Sequence, residues 1–139
     1  MIISSEREFP VSMSSLYRAF SDTEVREKWW GPNGFSSETE KCELKKGGEW
    51  ILDMIGPNWH RYPNRSVFLE VEPEALVIYD HEEPSFVMKM EFISTENGSR
   101  LKWTMDFKEK DESDKFRAFL ENANQENFDR LARVLDNDV

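Results

Sequence analysis

Residues 111–136 read DESDKFRAFLENANQENFDRLARVLD. Within them Phe116, Leu120, Ala123, Leu131 and Val134 recur at spacings of three, four and eight. At about 100° per residue these positions share one face, flanked by Phe119, Phe128 and Leu135. Lys115, Glu121, Gln125, Glu126, Asp129 and Arg133 occupy the other side. No Pro or Gly interrupts the run, and Asp111 or Ser113 is placed to cap its start. The spacing predicts one continuous helix over 112–136, roughly 37 Å long at the α-helical rise. Such a helix must lay its apolar stripe on something, and the segments before it read as strands. Asn127 falls at the centre of the apolar arc, with Asn124 on its shoulder. A buried amide needs hydrogen-bond partners, which leaves two readings open. Either a neighbouring protein group or trapped water satisfies it, or the helix roofs a cavity.

The chain has 139 residues, enough for one domain with a respectable core and no staples. It is 38% hydrophobic, 33% charged and 13% aromatic, the balance of a globular protein with much ring area to bury. A net charge of −10 repels phosphate backbones and anionic lipid, so neither nucleic acid nor a membrane surface is expected as a partner. The longest apolar run, Ala75 to Tyr79, is far too short to span a bilayer. The opening MIISSEREF lacks the basic and apolar regions of a signal peptide. Cys42 stands alone and excludes an internal disulfide, so a cytoplasmic location is expected.

Working from the start, residues 2–9 read as a strand ending at Pro10. Ser12 caps a short helix that turns Leu16, Ala19 and Phe20 inward. Ser21-Asp22-Thr23-Glu24 reads as a capping box for a second short helix, closed by Trp29-Trp30-Gly31-Pro32. From Phe35 the period changes to two. Residues 35–42 form a strand, Gly47-Gly48 a turn, and Trp50, Leu52 and Met54 then share one face. Gly56 to Asn64 reads as a loop. Val67, Leu69 and Val71 alternate with Ser66, Phe68, Glu70 and Glu72 before Pro73-Glu74 turns the chain. Residues 75–81 are apolar almost throughout. Phe86, Met88, Met90 and Phe92 alternate with Val87, Lys89, Glu91 and Ile93, and Leu101, Trp103, Met105 and Phe107 follow the same rule. Asn97-Gly98 between them predicts a two-residue hairpin turn with positive φ at both positions. The total is an α+β domain covering 1–139: a seven-stranded antiparallel sheet, two short helices after its first strand, and a long closing helix.

A curved sheet buries one face, and here that face carries Trp50, Phe86, Met88, Met90, Trp103 and Met105. Methionine is flexible and polarisable, and suits a surface that accommodates different shapes. With Asn124 and Asn127 above it, this face is either a filled core or an apolar pocket with few polar anchors. Trp29 and Trp30 face opposite ways at a helix end, which makes one of them core and the other a lid. The candidate ligand-binding residues are Trp30, Trp50, Tyr62, Met88, Met90, Trp103, Met105, Asn124 and Asn127.

Several stretches also carry a resemblance. Trp29-Trp30-Gly31-Pro32 with Phe35, Cys42 followed by Gly47-Gly48-Glu49-Trp50, Tyr62-Pro63-Asn64-Arg65 before Phe68-Leu69-Glu70-Val71, and the closing Phe128-Asp129-Arg130-Leu131 occur in order. Together they resemble the AHSA-like branch of the SRPBCC superfamily, over essentially the whole chain from Glu8. That branch is similar to the C-terminal domain of the activator of the heat-shock chaperone ATPase, and more distantly to START lipid-binding domains. The resemblance implies a helix-grip (START-like, birch-pollen-allergen-like) fold, in which the curved sheet wraps the long helix and leaves a cavity. It leaves function open, because the superfamily holds lipid and hormone binders, cyclases and chaperone activators. This sequence also departs from the pattern: Asn127-Phe128 stands where relatives often carry Gly-Trp, and Trp59-His60 where they carry Gly and small polar residues.

Little in the chain points to catalysis. His60, His81 and Cys42 form no metal-ligand spacing, so no metal and no cofactor is expected. Asp80-His81-Glu82-Glu83 contains acid–base groups, but neighbours on a strand point to opposite faces, and Glu82 and Glu83 read as a surface turn. No phosphate loop, nucleophile elbow or dinucleotide fingerprint occurs. Tyr62-Pro63-Asn64-Arg65 reads as a turn braced by its Asn and Arg, or as a ligand contact. Three function classes remain. Binding of a small apolar or amphipathic molecule leads. A protein-interaction module similar to the chaperone activator comes second, set back because the activator carries a further N-terminal domain. A cyclase-type enzyme comes last, since no paired acid and base stand out.

Overall fold

Period-two alternation builds seven strands in the computed structural model, which describes residues 1–108 and 114–137. They are β1 (Ile2–Phe9), β2 (Ser36–Cys42), β3 (Glu49–Ile55), β4 (Arg61–Glu72), β5 (Leu76–His81), β6 (Phe86–Thr95) and β7 (Gly98–Phe107). All neighbours pair antiparallel in the order β1-β7-β6-β5-β4-β3-β2. Helices α1 (Met13–Ser21) and α2 (Thr23–Arg26) follow β1, and α3 (Asp114–Asn137) closes the chain against the sheet. No helix is long and apolar enough to cross a membrane among the described residues.

The register fixes which side chains line the inner face. Met88 lies opposite Met105, and Met90 opposite Trp103. On the other half Trp50 lies opposite Ser66, and Ser66 opposite His81. Every one of these is buried. In β4 the buried positions are Ser66 and Phe68, while Val67 and Leu69 are exposed on the outer face despite being apolar. A register shift between Phe68 and Glu70 then changes the phase of the strand.

The helix α3 occupies the expected stretch; the cap candidates Asp111 and Ser113, and residue 112, lie outside the described residues. Its buried face, however, is rotated from the one the apolar spacing suggests. Asn124, Asn127, Phe128, Leu131 and Leu135 are buried, Phe116, Leu120, Ala123 and Val134 only half so, and Phe119 is 67% exposed. The C-terminal half therefore carries the contact. Burying Phe128 and Leu131 there contributes about 1.5–3 kcal/mol each.

Three further expectations need correction. Residues 61–64 are strand, not loop: Arg61 pairs with Ile55 and Pro63 with Asp53. Proline is tolerated because β5 joins β4 only from Ser66 onward, so this segment has a neighbour on one side alone. Asp22, not Ser21, caps α2, its carboxylate accepting from the N–H of Glu24 at 3.0 Å and of Val25 at 3.4 Å. The β6–β7 hairpin turns on Glu96-Asn97, since Thr95 pairs with Gly98. Asn97 is not at positive φ, whereas Gly98 is, at φ +159°.

Candidate functional site

Four tryptophans meet on the inner face. Trp29 is core, its indole N–H donating to the Ala19 carbonyl at 2.9 Å. Trp30 is half-buried, and its ring lies 5.0 Å from that of Trp50 and 5.3 Å from that of Trp103. One tryptophan of the pair is thus core and the other covers the two sheet tryptophans. Trp103 also packs on Phe128 at 4.8 Å, which seats it beneath α3. Trp50 touches Tyr79 at 5.2 Å and Phe20 at 5.5 Å.

The surroundings are well buried. Burial pushes the Tyr79 phenol well above its ordinary pKa and raises the Cys42 thiol as well. Yet among the described residues the indole nitrogens of Trp50 and Trp103, residues only 1% and 2% exposed, have no hydrogen-bond partner. The Ser66 hydroxyl, beside Trp50 in the sheet, has none either.

The two amides of α3 behave differently. Asn127 Nδ2 donates to the Trp29 carbonyl at 2.6 Å, and Asn127 Oδ1 accepts from the Gly31 N–H at 3.2 Å. Asn124 donates to Ser5 Oγ at 3.1 Å and lies 3.6 Å from Met105 Sδ. The expectation that Asn127 hangs into a cavity as a polar anchor therefore gives way to the other reading: protein main chain satisfies it. Together with Arg130, which donates to the carbonyls of Gly31 at 2.8 Å and Pro32 at 3.0 Å, Asn127 clasps the turn that carries Trp30. Gly31 is needed there, at φ +112° and with a Cβ position only 2.6 Å from Met54 Cε.

This clasp makes a prediction. Asn127→Leu strands the Trp29 carbonyl and the Gly31 N–H, and should cost about 2 kcal/mol of unfolding free energy. Urea denaturation measures it. A loss below about 0.5 kcal/mol, the size of an ordinary surface change, would show that the clasp does not hold the turn.

Of the remaining candidates, Met88, Met90 and Met105 line the inner face as expected. Tyr62 does not join them. It is 45% exposed near the start of β4, its ring tilted against those of His60 at 4.6 Å and Phe35 at 6.3 Å. Asn64 and Arg65 brace neighbours: Asn64 Nδ2 donates to the Tyr62 carbonyl, and Arg65 pairs with Glu49. Asp80 turns outward to Lys108 at 2.9 Å, while His81 is buried and stacked on Phe86 at 4.6 Å, with Nδ1 donating to the Pro84 carbonyl. They serve different faces. Burial pushes the imidazole below its ordinary pKa, against the pull of the Pro84 carbonyl and of Asp80, Glu82 and Glu83. Among the described residues no cluster of three or more His, Cys, Asp or Glu is placed to hold a metal ion. Clefts of about 360, 190 and 480 Å³ open at the surface, lined by charged side chains such as Arg65, Glu82, Glu38 and Glu40, the first also reached by Ser66 and His81.

Sequence reasoning missed Arg26. On a four-residue helix an arginine reads as solvent-facing, yet this one is 1% exposed, its guanidinium 5.1 Å from the Trp50 ring centre. The one available signal was its position one turn before Trp30.

A curved antiparallel sheet wrapped around a C-terminal helix, with two short helices after the first strand, defines the helix-grip class. Within it, a family model described as activator of Hsp90 ATPase homolog 1-like protein matches residues 10–136, and the chain belongs to that family. Solved structures share the fold. A protein of Nitrosomonas europaea superimposes with a TM-score of 0.89 at 19% identity, over 100% of this chain and 96% of that one. The AHSA1-like protein from Aeromonas hydrophila does so at 0.81 and 16%, over 97% and 95%. The AHSA1 protein from Silicibacter pomeroyi does so at 0.80 and 19%, over the full length of both. No curated protein matches the sequence.

Proposed function

We propose that this protein binds a small apolar or amphipathic molecule on the inner face of its sheet, beneath the Trp30 ring. One observation carries the reading: the indole N–H groups of Trp50 and Trp103 are buried without acceptors on either side of a half-buried tryptophan. Buried polar groups in folded proteins are nearly always satisfied, so an orphaned pair calls for a guest or water. Methionines on the same face suit variable shapes. Native mass spectrometry of freshly purified protein should find a retained small molecule, or an environment-sensitive apolar dye should titrate to about one site per chain and alter tryptophan fluorescence. Neither retained mass nor saturable dye binding would overturn the reading.

A second reading, a protein-interaction module, is favoured by a different observation. Trp59 is 83% exposed at the tip of the β3–β4 hairpin, at φ +66°, next to the exposed Tyr62. Its N–H donates to the Gly56 carbonyl, and the following His60 N–H to Asn58 Oδ1, so the tip holds one shape. The family description makes Hsp90 the partner to test. If this surface docks, Trp59→Ala should weaken Hsp90 binding about tenfold or more and leave dye binding unchanged.

A further inference from the structure

Arg26 is a buried cation with no carboxylate in contact among the described residues. Arginine is rarely fully buried unless paired, because desolvating its charge is costly. Here Nη1 donates to the Phe20 carbonyl at 2.9 Å, and Nη2 to Thr23 Oγ1 at 3.3 Å and Thr39 Oγ1 at 3.4 Å. All three acceptors are neutral. Among the described residues no carboxylate comes within 4.0 Å of the guanidinium. The two acids that act on it from farther off are occupied elsewhere. Asp22 caps α2, and Glu27 accepts the Thr39 N–H at 2.6 Å. Cys42 lies beside it, but burial raises the thiol's pKa and keeps it neutral despite the guanidinium.

Two of the unpartnered polar groups lie on the Trp50 side of this charge. Arg26 lies over the Trp50 ring, whose N–H lacks an acceptor, and Ser66 with its unpartnered hydroxyl is the cross-strand neighbour of Trp50. Water or a neutral guest could satisfy the N–H and the hydroxyl, but not the charge. A carboxylate accepts several hydrogen bonds and brings the missing negative charge. Trp30 follows one turn after Arg26, its N–H bonded to the Arg26 carbonyl at 2.9 Å, and fills the space between Trp50 and Trp103.

We infer that the guest is an acidic amphiphile, its carboxylate set against Arg26 and the Trp50 N–H and its apolar body displacing the half-buried Trp30 ring from between Trp50 and Trp103. The inference rests on the ligand-binding reading above. The net charge of −10 opposes it only weakly, because exposed charges are screened beyond about 8 Å at physiological salt, whereas a buried cation is not.

The test uses two probes on the intact protein, an ω-dansylated undecanoic acid and its methyl ester. The acid should bind at least about tenfold more tightly at neutral pH, the signature of a charge-assisted contact. The Trp50 indole N–H resonance should shift with the acid and not with the ester. Arg26→Met should remove the acid's advantage, bringing the ratio of acid to ester affinity close to one. If that variant fails to fold, the acid–ester comparison and the Trp50 resonance decide the matter on the parent protein. Equal affinity for acid and ester, or a response at Trp103 alone, overturns the acidic head and leaves the ligand-binding reading standing. Binding of neither probe counts against both.

Discussion

Ala123→Pro is expected to abolish stable folding. Ala123 sits inside α3, where proline removes an N–H and drives its ring into the carbonyl of Phe119, costing about 3 kcal/mol or more. The damage extends beyond the local bond. Immediately after this point come Asn124, Asn127, Phe128, Leu131 and Leu135, the buried positions that seat the helix and clasp the Trp29–Gly31 turn. A kink at 123 tilts them off the sheet together. Domains of this size are held by only about 5–15 kcal/mol, so the combined loss consumes much of the margin. Thermal unfolding by circular dichroism should show no cooperative transition, or one lowered by roughly 10 °C or more. A melting point within about 2 °C of the parent, the shift of well under 1 kcal/mol, would contradict the placement of the helix.

Gly98 makes the second large prediction, for a reason the turn chemistry does not supply. A Cβ there would lie well inside van der Waals contact of the Phe9 carbonyl oxygen and 3.0 Å from Pro10 Cα. Both are main-chain atoms, and β1 is locked to β7 through the Phe9–Ser99 pairing, so neither can give way cheaply. Gly98→Val should lose about 3 kcal/mol, the upper end of the overpacking range. Gly98→Ala should be nearly as harmful, since the clash is with Cβ itself. Gly98→Asn should be as harmful as alanine, because its Cβ meets the same main-chain atoms and asparagine's tolerance of the αL region does not reach φ +159°. Urea midpoints check all three variants, and an alanine or asparagine variant within about 0.5 kcal/mol of the parent would show that the Cβ clash does not govern the position.

These residues also show what a sequence can and cannot disclose. β6 and β7 are legible because strict alternation of Phe86, Met88, Met90 and Phe92, then Leu101, Trp103, Met105 and Phe107, admits one facing only. The Pro63 segment is not, since proline argues for a loop unless one knows that the neighbouring strand stops short of it. On α3 the apolar spacing counts Phe119 with Phe128 alike, though the first is exposed and the second buried. Only the partner surface distinguishes them. Asn127 was visible as a buried amide, but its partners, Trp29 and Gly31, lie 98 and 96 residues away. The Arg26 site was hidden for the same reason: its character comes from Thr39 and Trp50, brought up by other strands.

The pairing of the first strand with the last has a consequence during synthesis. Ile2 pairs with Asp106, so β1 leaves the ribosome long before its partner exists. At about 5–20 residues per second, the first strand waits roughly 5–20 seconds with its hydrogen-bonding edge open. Its sequence is suited to the wait. Ser4, Ser5, Glu6, Arg7 and Glu8 make a polar, charged strand that discourages pairing with another nascent chain. Such an edge should keep the growing chain from associating with its neighbours, with closure of the sheet deferred until β7 emerges.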